Sequence, residues 1–143
     1  MAEDLTVLLQ MYTAAHRLAY VAEPLYYYRY NETSLSNADG AERDRRLIRQ
    51  MRDMEANVNL LERFFSEHGG QRFHKEFVFR KFFNKRWVLP ALHTSSDCSL
   101  WRHCHPDINL RLYTCPYITV KDKFVALLAT LGLYPWVKRH LVF

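Results

Sequence analysis

Apolar residues fall at helical spacing almost from the first position of the chain. Leu5, Leu8, Leu9 and Tyr12 repeat by three and four, the period of a buried helix stripe. Val7, Met11, Ala14 and Ala15 widen that stripe, as though the helix were covered on more than one side. Glu3 and Asp4 occupy its first turn, where carboxylates suit the positive end of the helix dipole. A longer seam follows: Leu47, Met51, Met54, Val58, Leu61 and Phe65 alternate by four and three, while Arg45, Arg46, Arg49, Arg52 and Asp53 take other faces. Asp39 with Glu42 three places on matches a capping box opening this helix, and Gly69-Gly70 closes it. A seam of about three heptads suits packing in a bundle better than a free-standing coiled coil.

The other elements are shorter. Residues 18–21 and 25–30 predict two strands separated by the turn-forming Glu23-Pro24. Two strands alone make no stable sheet, so they read as pieces of something larger. Residues 33–40 turn polar and mark the best internal boundary. A third helix is predicted from residue 71 to about 89, where Pro90 disturbs it. A short helix around 100–103 and a final one over 121–131 follow, with Gly132 and Pro135 ending the last before a turn at 136–141. The expected fold is mainly α: a bundle-like helical region over 39–143 behind a small two-stranded β element within 1–38.

Composition narrows the class. Of the 143 residues 49% are hydrophobic and 15% aromatic, which argues against disorder. Only 4 Gly and 5 Pro disfavour a turn-rich sandwich or barrel. The formal charge of +5 permits an anionic partner without naming one. No basic segment precedes an apolar run at Met1, and the three cysteines, Cys98, Cys104 and Cys115, follow no disulfide framework, so a reducing, cytoplasmic setting is expected. The longest mostly apolar run, residues 124–137, falls short of the roughly 20 residues a spanning helix needs.

Three short motifs point further. Glu3-Asp4 opens the first helix, Glu23-Pro24-Leu25-Tyr26-Tyr27-Tyr28-Arg29 follows it, and Ser34-Leu35-Ser36 comes next. In this order and spacing, over residues 3–36, the sequence resembles the inverting nucleotide-sugar glycosyltransferases of family two, which have the GT-A fold. The resemblance implies that Asp4, with Glu3 beside it, is the catalytic base. It would take a proton from an acceptor hydroxyl, which then attacks the sugar's anomeric carbon in line with the departing nucleotide diphosphate. Such a base must be held rigidly within hydrogen-bond reach of the hydroxyl. It also implies that Arg29, Asn31 and Ser34 bind substrate near the donor diphosphate, Arg29 by bidentate bonds to leaving-group charge. Many relatives carry His where this chain has Asn31, a poorer metal ligand. Read without the resemblance, Asp4 is a first-turn acid satisfying backbone N–H groups, and Arg29 caps an aromatic strand.

The donor-binding half of a GT-A enzyme carries an Asp-x-Asp motif and holds the nucleotide with divalent Mn or Mg. These residues contain no Asp-x-Asp, no Gly-rich phosphate loop and no run of βα units. The chain is therefore expected to be the C-terminal part of an enzyme that moves a sugar from a nucleotide diphosphate sugar to a glycan or lipid-linked acceptor. It should be inactive alone and bind no cofactor itself. Its uncovered apolar surface would favour homo-oligomers, and its place would be the cytoplasm or the inner membrane face. The rival expectation is a non-catalytic helical module that binds a protein or a membrane surface.

Two further clusters combine residues with chemical potential. Arg72, His74, Lys75, Arg80, Lys81, Lys85 and Arg86 interleave with Phe73, Phe77, Phe79, Phe82, Phe83 and Trp87. The leading expectation is a buried aromatic stripe (Phe79, Phe82, Phe83, Trp87) with a solvated basic face; a membrane interface comes second and nucleic acid is disfavoured. His93, Cys98, His103, Cys104 and His105 lack the two paired arms of a zinc site, so no metal is assigned to them.

Overall fold

The computed structural model describes residues 3–27 and 40–140. The described residues form six α-helices: α1 Glu3–Ala14, α2 Gly40–Glu67, α3 His74–Val88, α4 Ser95–His103, α5 Val120–Thr130 and α6 Tyr134–His140, with 3-10 turns between them. The mainly α expectation holds. The β element is not found: residues 15–27 form no strand, and residues 28–30 of the second segment lie outside the description. A strand must pair its backbone with a neighbour, and among the described residues no sheet edge is at hand to receive one.

The 28-residue α2 is the spine, about 42 Å long at the usual helical rise. Its seam is buried as read, at Leu47, Met51, Met54, Val58 and Leu61. The seam serves two clusters. Leu47, Met51 and Met54 join the main core around Trp101, with Phe82, Val88, Leu92, Ile108 and Leu112. Val58 and Leu61 pack with Phe77 in a smaller one, where Leu9, Phe65 and Phe73 close the edge. The capping box falls at Asp39, outside the described residues; Glu42 itself holds Arg46 at 2.8 Å.

α2 turns back into α3 through Gly69, whose φ of 76° only glycine adopts freely. Gly70 is pressed so closely on Phe65 that a Cβ would stand 2.7 Å from its carbonyl oxygen. Thr94 caps α4 in a complete capping box with Asp97, and Thr119 caps α5 through the N–H of Asp122. Residues 136–140 differ from the expected turn: they belong to the helix α6, and Pro135 fits because its first turn needs no N–H donor. Lys138 and Arg139 pin α6 to the carbonyls of Pro90 and His93. Among the described residues no helix is long and apolar enough to cross a membrane.

α1 departs most from its pattern. It packs on α2 through Leu9 and the buried Thr6, whereas Val7 (57%), Leu8 (43%), Met11 (62%) and Tyr12 (49%) remain exposed. The predicted stripe thus faces outward in its larger part. Beyond α1, the apolar residues Leu18, Tyr20, Val21, Leu25, Tyr26 and Tyr27 are exposed as well.

Candidate functional site

α3 is turned opposite to the expected way. Lys81, Asn84 and Lys85 point into the protein, while Phe79 (40%), Phe83 (37%) and Trp87 (49%) stand half-exposed on the other side. Of the predicted aromatic stripe only Phe82 is buried. The stripe that is buried runs Val78, Phe82, Lys85, Leu89, also at helical spacing, so both faces of α3 carry apolar residues at helical spacing, the buried one interrupted by a lysine.

The inward lysines tie three elements together. The ammonium of Lys85, fully buried, donates to the carbonyl of Cys104 at 2.7 Å and to Asn109 Oδ1 at 2.6 Å. It also lies 4.2 Å above the ring of Trp101, whose indole N–H donates to the backbone carbonyl of Lys85. One turn earlier, Lys81 bridges Glu62 of α2 and Asp107 of the loop after α4, each at 2.6 Å. Asn84 donates to the carbonyl of Met54.

Burial sets the protonation of this cluster. It draws the Lys85 ammonium down to about 8, with the charges of Glu55 and Asp107 opposing it. Burial also lowers Lys81, but the hydrogen bonds it donates to Asp107 and Glu62 outweigh it and hold that ammonium above its ordinary value. Next in the loop, His105 adopts a left-handed φ of 46° and its N–H donates to Glu55 Oε1 at 2.8 Å. Its ring is buried without a protein partner at either nitrogen; burial, then the Lys81 charge, keep it neutral down to about 4. Burial pushes the Cys104 thiol up to about 12, so it is no nucleophile at neutral pH. No solvent-borne substrate reaches Lys85. The cluster is a lock that fixes the rotation of α3.

That lock is costly. A lysine drawn from 10.5 to about 8 forgoes about 3 kcal/mol as an ammonium. Each half-exposed ring forgoes about 1 kcal/mol of its full burial. The ion pairs of Lys81 and the bonds of Lys85 offset that cost.

The outward rings border an open cleft of about 660 Å³ between α3, α5 and α6. Phe83, Trp87 and Tyr134 supply its aromatic walls, and Arg43, Arg86, Lys121 and Lys138 its charge. Among the described residues Asp122 is the one acid lining it, and it is already engaged by Arg86 at 2.9 Å. On α5 the cleft takes Lys121, Val125 and Leu128, and the adjoining face presents Val120, Phe124, Leu127 and Leu131 outward.

The residues assigned by resemblance are only partly described. Asp4 is exposed in the first turn of α1, and the helix opens at Glu3, whose side chain lies outside the description. Arg29, Asn31 and Ser34 all lie outside the described residues. Of the His and Cys cluster, His93 pairs with Asp44 at 2.6 Å, Cys98 and Cys104 sit in the core, His103 is exposed and His105 belongs to the lock.

The lysine lock was signalled in the sequence only by Lys81 and Lys85 sharing a face with Val78 and Phe82. Its partners Glu55, Glu62, Asp107 and Asn109 are 19 to 50 residues away along the chain from the groups they bind, and no spacing rule joins them. No family model matches the chain, and neither a curated protein nor a solved structure is significantly similar to it.

Proposed function

We propose that these residues are the acceptor side and helical C-terminal region of an inverting, family-two nucleotide-sugar glycosyltransferase, inactive without its donor-binding unit. In the complete enzyme, working in the cytoplasm, a sugar would pass from a nucleotide diphosphate sugar, held with Mn or Mg, to a hydroxyl of a glycan or lipid-linked acceptor. Asp4 would accept that hydroxyl's proton. Arg29, Asn31 and Ser34 would lie toward the diphosphate.

One observation carries the reading beyond the sequence resemblance. Asp4 shares its helical face with Val7, Leu8 and Met11, three, four and seven places on, and all four are exposed. An apolar face with a carboxylate at its mouth is what remains when one wall of a site is supplied by another structural unit. Apolar residues from Leu18 to Tyr27 are exposed as well. A second copy of the chain could cover it in the donor unit's absence.

Two measurements test this. Calorimetry of residues 1–143 with a UDP-sugar and Mn should show no saturable uptake; micromolar binding would overturn the division of labour. In the complete enzyme Asp4→Asn should lower kcat by about a hundredfold or more while donor affinity stays, because only the proton acceptor is lost. Unchanged turnover would remove Asp4 from the reaction. The non-catalytic reading, a helical protein- or membrane-surface module, draws on a different feature, the aromatic and basic surface of α3 and α5.

A further inference from the structure

We propose that the cleft between α3 and α5, with the apolar ridges on its two sides, docks the protein on an anionic lipid bilayer, the cleft receiving phosphate headgroups. This inference uses none of the residues assigned to sugar transfer, and either can fail alone.

Among the described residues, Arg43, Arg86, Lys121 and Lys138 line the cleft against Asp122, and Arg86 and Thr119 already hold that carboxylate. The cleft therefore carries an excess of positive charge, complementary to phosphate. An acidic protein groove could match that charge, so the flanks must decide between the two.

Phe79, Phe83 and Trp87 follow one another four places apart along α3, and Tyr117 packs edge-on against Phe79. Across the cleft, Val120, Phe124, Leu127 and Leu131 form an exposed stripe at helical spacing on α5, and Trp136 and Leu133 are exposed on and beside α6. Trp, Tyr and Phe beside Lys and Arg are the side chains that settle at the boundary between headgroups and acyl chains. Apolar ridges flanking a cationic trough match a surface whose phosphates lie above hydrocarbon. The 11-residue α5 is too short to span a bilayer but long enough to lie along one.

The lock on α3 makes the outward rings a fixed property of the fold. Lys81 and Lys85 hold the helix in the rotation that leaves Phe83 and Trp87 at the cleft. The ridge is therefore present before any membrane is met, and docking needs no refolding.

The test is vesicle co-sedimentation of the intact chain. Vesicles containing about one-third phosphatidylglycerol should bind it about tenfold or more tightly than pure phosphatidylcholine vesicles, and salt should weaken the binding. Quenching of Trp fluorescence by lipids brominated in the acyl chain should fall sharply in Trp87→Phe. The double variant Arg43→Glu/Lys121→Glu should lose about tenfold or more of the binding to anionic vesicles with its helical circular dichroism unchanged. A third variant, Phe124→Ser, changes an exposed residue and should weaken binding to anionic vesicles without altering the fold.

Equal binding to neutral and anionic vesicles, or none to either, overturns the proposal. So does tighter binding to RNA than to vesicles, or binding of free glycerol phosphate as tight as that of vesicles. A stable dimer in sedimentation that shields Trp87 from a soluble quencher would assign the surface to a second copy instead.

Discussion

Lys85→Met removes the charge at the centre of the lock while keeping an unbranched side chain of similar length. In the wild type the ammonium is fully buried and drawn from 10.5 to about 8, a penalty of about 3 kcal/mol at neutral pH. Methionine lifts that penalty but leaves the Cys104 carbonyl and Asn109 Oδ1 without their donor, at about 1–3 kcal/mol each. The two effects largely cancel, so the variant should lie within about 3 kcal/mol of wild type at pH 7.

The pH dependence separates them. The folded value lies below the unfolded one, so the unfolded chain binds more protons between about 8 and 10.5. Stability from this residue is complete above the unfolded value and is lost as pH falls through about 8. Above pH 9 the Cys98 and Cys104 thiols, both raised by burial, act in the opposite sense, so the lower part of the window is the clean one. Urea denaturation of both proteins should show wild type gaining about 1 kcal/mol relative to Lys85→Met from pH 8 to pH 9. A constant difference across that unit would mean that Lys85 is solvated, and the account of α3's rotation would fall with it.

His105→Asn should move the acid-unfolding midpoint to lower pH, seen by circular dichroism. The ring's folded value of about 4 lies below its ordinary 6.5, so its stability is present above 6.5 and lost as pH falls through about 4, by up to about 3 kcal/mol. Asn tolerates the left-handed backbone, so an unmoved midpoint would show the ring to be exposed. Thr94→Ala breaks the capping box of α4 and should cost about 1 kcal/mol in thermal denaturation, whereas no loss would mean the cap is idle. Gly70→Ala should destabilise by about 1–3 kcal/mol, because its Cβ would meet Phe65 backbone at 2.7 Å; a neutral result would show a looser hairpin.

Much of the fold was legible along the chain. The α2 seam needs only its own spacing to be read, and every residue from Leu47 to Leu61 in it is buried. Gly69 marks the turn into α3 and α5 begins within a residue of its expected start, whereas α4, expected only over 100–103, begins at Ser95 behind the Thr94-x-x-Asp97 cap. These are local signals, complete within one turn of helix or one period of the pattern. No strand forms at 18–21 or at the described residues 25–27, because β propensity needs a neighbouring strand that propensity cannot supply. The stripe of α1 was legible as apolar, but periodicity carries no information on whether a face is covered.

The sequence alone thus determined that the chain is helical, where most helices begin and end, and which face of α2 is buried. The tertiary structure decided which way α3 turns. Both of its faces carry apolar residues at helical spacing, so the pattern leaves its rotation undetermined. Lys81 and Lys85 can go inward only because Glu62, Asp107, Asn109 and the Cys104 carbonyl, brought from other parts of the chain, wait there to receive them. Buried charge is tolerable only when its partners are already in place, and that is a property of three-dimensional packing which no stretch of sequence contains.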